Sequence, residues 1–599
     1  MNQNLCCQAV AESVYKNKNI MKKFIYIILT VLFITTDIII SFSQDLPNYM
    51  TNEEKKKMPD YLNSINVRGT TTPPLSPVRT MAEWEEIQAL TISWKSYESV
   101  LTKIVKAAQT ECKVFIICND SNTVKSYLTS NGVTPVNVSY IIATANSVWI
   151  RDYGANNVYT NDVDSLLLVD WIYNRPRPAD DAIPSAISDY TGIPLFETTN
   201  PPYELVHTGG NFMSDGFGTG FSSELVLDEN SDLSETQVDD IMNQFMGISR
   251  YIKMPTLPYD DIHHIDMHIK LLDEETFLVG EYPDGVADGP QIEANLQYVL
   301  SNYNSVFGTS YKVIRIPMPP STSGLYPDNG GYYRTYTNGV FVNKTFIVPT
   351  YREEYDTIAL RILRENLPGY NVVGINCEQT IPSEGAIHCI TNVVGISAPL
   401  LISHQRLSDT YDTTNHYTVN ATILHKSGIQ TATVYYRTDT MQAYQTADMS
   451  MTVKSNTWTG YIPSQQVNST VYYYIQAHAN SGKFQVRPIT APDGYWSFKI
   501  LPPSSVEEQT NDFTVKMLPV YPNPSKGITC IPIENNHPNM YCEIALFDLL
   551  GKKTFIIYKG KINKGKTNYF LNASKLGKGV YILKFSSDYY VETQKFLVK

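Results

Sequence analysis

A chain of 599 residues is too long for one hydrophobic core; at roughly 100–200 residues per domain, three or more are expected. Its 43% hydrophobic and 18% charged residues exclude a disordered chain. A net charge of −12 excludes a general nucleic-acid role, which needs a concentrated basic surface.

The chain begins with an address. Met21-Lys22-Lys23 is a basic leader, residues 24–40 are largely apolar with Asp37 as a blemish, and Ser41-Phe42-Ser43 supplies the small residues that precede a cleavage site. The run is short and interrupted for a membrane anchor. Residues 1–43 therefore read as an export signal region, with Met21 as an alternative start. Residues 44–80 are polar and proline-rich, which predicts a linker or removable pro-segment rather than a folded element. The eight cysteines show neither C-x-x-C nor zinc-ligand spacing, so no metal is expected; a Cys530–Cys542 bridge stays open.

From residue 81 a strand–helix–strand unit recurs. Strands are predicted over 87–94 and 113–117 around a helix over 97–109, whose stripe is Leu101, Ile104, Val105 and Ala108. The order returns at 277–280, 292–300 and 311–316, and again at 345–348, 358–367 and 371–375. A fourth copy is expected from a strand near 224–227 and the helix after Ser234, where Ser234 and Gln237 form a capping box. Pattern alone says α/β over 81–405. Alternating strands over 406–500 suggest an immunoglobulin-like β-sandwich without the antibody-type disulfide. A linker at 501–518 leads to a small lysine-rich β unit over 519–599.

The chemistry centres on Cys389, which follows the turn-like run Pro382-Ser383-Glu384-Gly385. A lone cysteine is ordinarily an inert small hydrophobe. Upstream, His264-Ile265-Asp266 reads as an extended segment with two polar groups on one face, and Trp149-Ile150-Arg151-Asp152 adds a second carboxylate. A thiol nucleophile, a proton shuttle and two anions form a coherent set for attack on a cation, most simply a guanidinium.

Trp-x-Arg-Asp-Tyr-Gly at 149–154, His-Ile-Asp at 264–266 and Ile-His-Cys at 387–389 resemble the guanidine-modifying enzymes of the agmatine deiminase type. The stretches 173–178 (Tyr-Asn-Arg-Pro-Arg-Pro) and 207–213 (His-Thr-Gly-Gly-Asn-Phe-Met) are similar to the secreted, Porphyromonas-type peptidylarginine deiminases. That resemblance implies a five-bladed pseudo-symmetric α/β propeller (pentein), no cofactor, and hydrolysis of peptidyl arginine to citrulline and ammonia. It implies Cys389 as nucleophile, His264 as acid/base, Asp152 and Asp266 on the guanidinium, and Asn338 ordering the site. Trp149 and Ile262 fall at the substrate pocket, and Gly209 and Gly210 permit close backbone approach. Arg175 and Arg177, on a stretch over 171–178 read as extended, are expected to grip the α-carboxylate of a C-terminal arginine. Asp261 stands where the family has a substrate-holding tyrosine, and Pro382–Gly385 departs from the glycine-rich lead of agmatine deiminases. Residues 519–599 resemble the sorting domain of type IX secretion substrates, which implies partnership with that machinery and a secreted or surface-attached product without a transmembrane anchor after processing. The competing readings are an agmatine deiminase, a surface adhesin on an inactive scaffold, and a cysteine protease.

Overall fold

The computed structural model describes residues 45–599 except 453–455, 503–514, 538–539, 549–550 and 588–589. The expected export signal, with Met21, Asp37 and Cys6-Cys7, lies outside the described residues, as does most of the expected 501–518 linker. No helix among the described residues is long and apolar enough to cross a membrane.

Five small sheets share one construction. In each, two parallel strands are joined by a helix, as parallel pairing requires. The pairs are Ile87–Ser93 with Lys113–Cys118, Leu166–Asp170 with Leu195–Glu197, Thr219–Ser223 with Arg250–Met254, Thr276–Glu281 with Lys312–Pro317, and Thr345–Thr350 with Asn371–Asn376. Their helices are Glu98–Ala108, Ile183–Thr191, Glu235–Met246, Gly289–Asn302 and Glu353–Asn366. An antiparallel strand flanks the first member of every pair. In the Ile87–Ser93 sheet that strand is Asn392–Gly395, so the last strand of the region closes onto its first parallel pair.

The helices form for the reasons their sequences give. Ser234 and Gln237 make both bonds of a capping box, and Val238, Ile241, Met242 and Phe245 are buried along one face. Phe245→Ala there would cost about 3–5 kcal/mol. Leu101, Ile104, Val105 and Ala108 are likewise buried.

Four expectations need correction. The strand of the fourth copy is Thr219–Ser223, in which Phe221 is the one large apolar residue, whereas the apolar run expected to carry it forms the short helix Leu225–Asp228. Residues 45–80 are not unfolded: Thr51 and Glu54 cap a helix over Asn52–Leu62, and Val78–Thr80 joins a sheet. This helix offers the core little beyond Met58 and Tyr61, which pack with Ile172 and Val206, and is otherwise polar, which is why its composition reads as a linker. The strand at Ile172–Tyr173 ends there and the chain bends through 174–176, so Arg175 and Arg177 do not sit on an extended stretch. His264 is extended, but Ile265–Met267 is a turn of 3-10 helix.

Beyond this region, two antiparallel sheets pack on a core that includes Val419, Val434, Tyr473 and Phe498. Their first strand, Leu401–Ser403, precedes the expected boundary at 406. The last unit begins with Val515–Met517, ahead of the expected 519, and pairs it with Ile528–Asn535. Cys530 and Cys542 are both buried and free.

Candidate active site

Every one of the five sheets places a loop at the site, immediately ahead of its flanking antiparallel strand. Asp152 precedes Asn156–Thr160, Gly210 precedes Met213–Ser214, Asp266 precedes Ile269–Asp273, Asn338 precedes Val340–Val342 and Cys389 precedes Asn392–Gly395. Residues more than two hundred positions apart thus converge because one structural offset is repeated.

Cys389, His264 and Asn338 are fully buried, and Asp152 and Asp266 nearly so. Asn338 Nδ2 donates to Cys389 Sγ at 3.2 Å, and its Oδ1 accepts from the His388 amide at 3.0 Å. The Cys389 thiol faces Asp266 Oδ2 at 3.7 Å. His264 Nδ1 lies 3.5 Å from Asp152 Oδ1, within ion-pair range but outside hydrogen-bond geometry. Asp152 Oδ1 accepts from the Gly210 amide at 3.1 Å. Asp152 Oδ2, Asp266 Oδ1 and both ring nitrogens of His264 have no partner. Buried polar atoms are normally satisfied, so acceptors left open around one sulfur describe a receptor for a planar cation with several N–H groups.

The same groups perturb one another electrostatically. Burial, and then the Asp266 charge, push the Asp152 carboxyl up to about 7. Burial and the same two carboxylates hold the Cys389 thiol well above its ordinary range. Burial keeps His264 well below the usual histidine range, with Arg175 adding to the effect. A bound cation would relieve the carboxylate repulsion and favour the thiolate.

Behind the site runs a chain of charges that sequence reading missed. His388 Nδ1 donates to Asp266 Oδ2 at 2.6 Å and Nε2 to Glu83 Oε1 at 2.9 Å, while Lys270 Nζ lies 2.5 Å from Glu83 Oε2. Two carboxylates on one imidazole are satisfied by an N–H on each nitrogen. Burial alone would raise the Glu83 carboxyl, but His388 and Lys270 reverse this and hold it well below its ordinary range. The chain fixes Asp266 Oδ2 and leaves Oδ1 without a partner. Glu83 is some three hundred residues from Cys389 in sequence and sits in no motif, so only the fold reveals it.

Two glycines are required by close approach. A Cβ on Gly210 would stand 2.4 Å from His264 Nδ1 and 2.7 Å from Asp152 Oδ1; one on Gly385 would enter the Trp149 ring at 2.2 Å. Between Gly385 and its neighbours, Glu384 adopts φ 62°, a left-handed conformation that favours glycine and costs a non-glycine residue of order 1 kcal/mol. Here the departure from a glycine-rich lead has a backbone consequence.

The remaining expected residues are all near. Trp149 is buried against Gly385, with its Nε1 donating to the Leu46 carbonyl at 2.8 Å. Ile262 is buried, and its amide donates to Asp260 Oδ1 at 3.0 Å. Arg175 Nε donates to the Asn48 carbonyl at 3.0 Å, and Arg177 Nε to Glu54 Oε1 at 2.7 Å. Asp261, at the position of the expected tyrosine, is exposed. Among the described residues no group of three or more His, Cys, Asp or Glu is arranged to hold a metal ion.

Residues 79–394, just over half of the chain, match the model of the Porphyromonas-type peptidyl-arginine deiminase family, and residues 519–599 match the secretion system C-terminal sorting domain. The agmatine deiminase of Medicago truncatula is 24% identical over 373 residues, covering 53% of this chain and 97% of its own. Solved agmatine deiminases from C. jejuni (23% identity, 53% of this chain, 96% of its own, TM-score 0.45) and Enterococcus faecalis (20%, 54%, 97%, 0.47) are also similar. This chain belongs to the Porphyromonas-type peptidyl-arginine deiminase family, a hydrolase family acting on guanidino groups, and it carries a type IX C-terminal sorting domain that marks it for secretion or surface attachment.

Proposed function

We propose that the enzyme deiminates peptidyl arginine, preferring arginine at a peptide's C-terminus. The observation that supports this best is the set of unpaired acceptors, Asp152 Oδ2 and Asp266 Oδ1, beside the Cys389 sulfur. Asp152 and Asp266 bind the guanidinium edge, and the bound cation stabilises the Cys389 thiolate. Cys389 gives its thiol proton to His264, and the sulfur attacks the guanidinium carbon to give a tetrahedral adduct. His264 delivers a proton to the departing nitrogen, ammonia leaves, and a thiouronium remains on Cys389. Neutral His264 then takes a proton from water, which attacks the same carbon and expels the thiolate. Guanidinium and water become a ureido group and ammonium. Asn338 Nδ2 steadies the sulfur in each charged stage.

Arg175 and Arg177 receive the α-carboxylate, for which a pair of guanidinium forks is suited. The five sheets read as blades of a propeller and the sandwich as immunoglobulin-like. Residues 1–43 are taken as the export signal, and the sorting domain is cleaved or used for attachment at the outer membrane. An agmatine deiminase is the second reading, favoured by the names of the relatives, but two arginines near the pocket disfavour an amine.

The test is incubation with three substrates: a tripeptide ending in free arginine, its C-terminal amide, and agmatine. Ammonia release, with exchange of an imino group for a carbonyl by mass spectrometry, is expected for the free peptide and strongly reduced for the amide. Turnover of agmatine alone would replace the proposal with the second reading.

A further inference from the structure

The two arginines assigned to substrate are already occupied by the protein itself. Glu54 accepts from Arg177 Nε at 2.7 Å and Nη2 at 3.3 Å, while Arg177 Nη2 also donates to the Pro47 carbonyl at 2.8 Å. Asn48 is fully buried, and its carbonyl accepts from Arg175. Its amide donates to the Ser383 carbonyl at 2.8 Å and its Nδ2 to the Glu384 carbonyl at 3.3 Å. Leu46 accepts from Trp149. A strap over residues 46–54 therefore joins the Trp149 loop, the arginine pair and the turn ahead of Cys389.

The segment is built to come away. Its helix, Asn52–Leu62, buries only Glu54 and Tyr61, and its apolar contact is confined to one small cluster of Tyr61 and Met58 with Ile172 and Val206. After the helix the chain is exposed at Asn63, Ser64, Asn66 and Val67, the last at 53%, and only Ile65 is partly buried on that cluster. It is then fixed again: Arg68 pairs with Asp181 at 2.9 Å, and the amides of Arg68 and Gly69 donate to Glu197 Oε2 at 2.8 and 2.6 Å. A cut within 63–67 would leave everything downstream anchored and would hold the upstream piece only by its own contacts.

We propose that residues 45–62 are an internal plug in which Glu54 stands in for a substrate carboxylate, and that the exposed connector 63–67 is a processing site where an endopeptidase opens the enzyme. This rests on the reading of Arg175 and Arg177 as the carboxylate site. The endopeptidase adds water across one peptide bond, leaving a carboxylate on the plug and an amine on the body. In the intact chain the open state is a minor fraction, and apparent affinity for peptide is lowered by that fraction.

The test replaces residues 63–67 with the recognition sequence of a site-specific protease in the full chain. The folded protein is compared before and after cutting and separation. Two rates are read: ammonia release from a tripeptide ending in free arginine, and carbamidomethylation of Cys389 by iodoacetamide, followed on its own peptide by mass spectrometry. Cutting should raise both, kcat/KM by about tenfold or more, and Glu54→Gln in the uncut chain should give an intermediate rise. Unchanged Cys389 labelling on cutting overturns the plug; with ammonia released equally by both forms, the deiminase reading survives it. Faster labelling with no ammonia from either form keeps the plug and removes the deiminase reading.

Discussion

The strand Ile269–Asp273 has a site at one end and a domain contact at the other, about 17 Å away at 3.4 Å per residue. Both ends bury acids. Ahead of it, Asp266 keeps one oxygen unpaired beside a cysteine and a histidine that lacks hydrogen-bond partners. After it, the turn Asp273-Glu274-Glu275 is buried just as deeply, yet each acid has a cation: Arg406 at 2.5 Å, Arg487 at 3.1 Å and Lys312 at 2.5 Å. Arg406 and Arg487 come from the β-sandwich. Burial therefore does not distinguish function from architecture, because both ends have it. What differs is whether the charges are matched within the chain or left for something from outside.

The first way to break that comparison is to remove the atom at its centre. Cys389→Ser should lower kcat by roughly 10^4-fold or more, because a hydroxyl is not ionised near neutral pH. The urea midpoint should stay in place, since the site is not organised for stability. Wild-type ammonia release from the variant would remove Cys389 from the reaction.

At the other end the expectation reverses. Arg487→Ala should cost roughly 2–4 kcal/mol of stability and leave kcat per folded molecule unchanged. Burial has already pushed the Glu274 carboxyl up despite Arg487, so on losing its partner it takes up a proton rather than remaining charged. That limits the loss to the lower part of the range for a broken buried pair. An unchanged unfolding midpoint would show that this contact does not hold the sandwich in place.

How far the sequence reveals these two ends follows from how each is built. Cys389, His264, Asp152, Asp266 and Asn338 lie in short local motifs, because each sheet offers its site residue just ahead of a strand. The strand–helix–strand units were legible where the helix had a clean apolar stripe, as at Leu101 to Ala108. They failed at Thr219–Ser223, where one phenylalanine set among Gly220, Ser222 and Ser223 gives no apolar alternation. The fifth unit, Leu166–Asp170 to Leu195–Glu197, was not recognised, with only three residues in its second strand. Glu83 and Lys270 were invisible because their partnership with His388 exists only across sheets. Glu54 was hidden for another reason: a polar helix that pairs with buried arginines has the composition of a linker.

A pH profile sharpens the comparison with a smaller effect. The Asp152 carboxyl is raised to about 7, so in acid it is protonated and no longer attracts a guanidinium. Log kcat/KM should rise with pH through an acid limb near that value, and Asp152→Asn should remove the limb while lowering the plateau. Asp273 has the opposite sign. Burial would raise its carboxyl, but Arg406 and its hydrogen bonds hold it below the ordinary range. The stability it contributes is thus full above the unfolded carboxylate range and is lost only as pH falls through the lower folded value. Unfolding midpoints should accordingly not fall where activity is already falling, since the raised Asp152 carboxyl favours the folded state as it takes up its proton. A parallel decline of both would mean that the activity limb reports unfolding.

The smallest effect belongs to a third ion pair of the same interface. Lys483 Nζ lies 2.7 Å from Glu86 Oε2, a shorter contact than that between Arg487 and Glu274, but their side chains are 20% and 28% exposed. Water therefore screens the attraction and can replace the ammonium, and the long lysine chain regains rotamer freedom when released. Glu86 also keeps a second donor, since Gln485 Nε2 reaches the same oxygen at 3.0 Å. Lys483→Ala should cost no more than about 1 kcal/mol, with the loss shrinking as salt is added. Arg487→Ala, measured alongside it, should keep most of its cost in salt because its partner is buried. Equal losses with equal salt dependence would show that solvent access, and not charge matching, fails to separate the two pairs, and the distinction drawn between matched and solvated charges at this interface would fall.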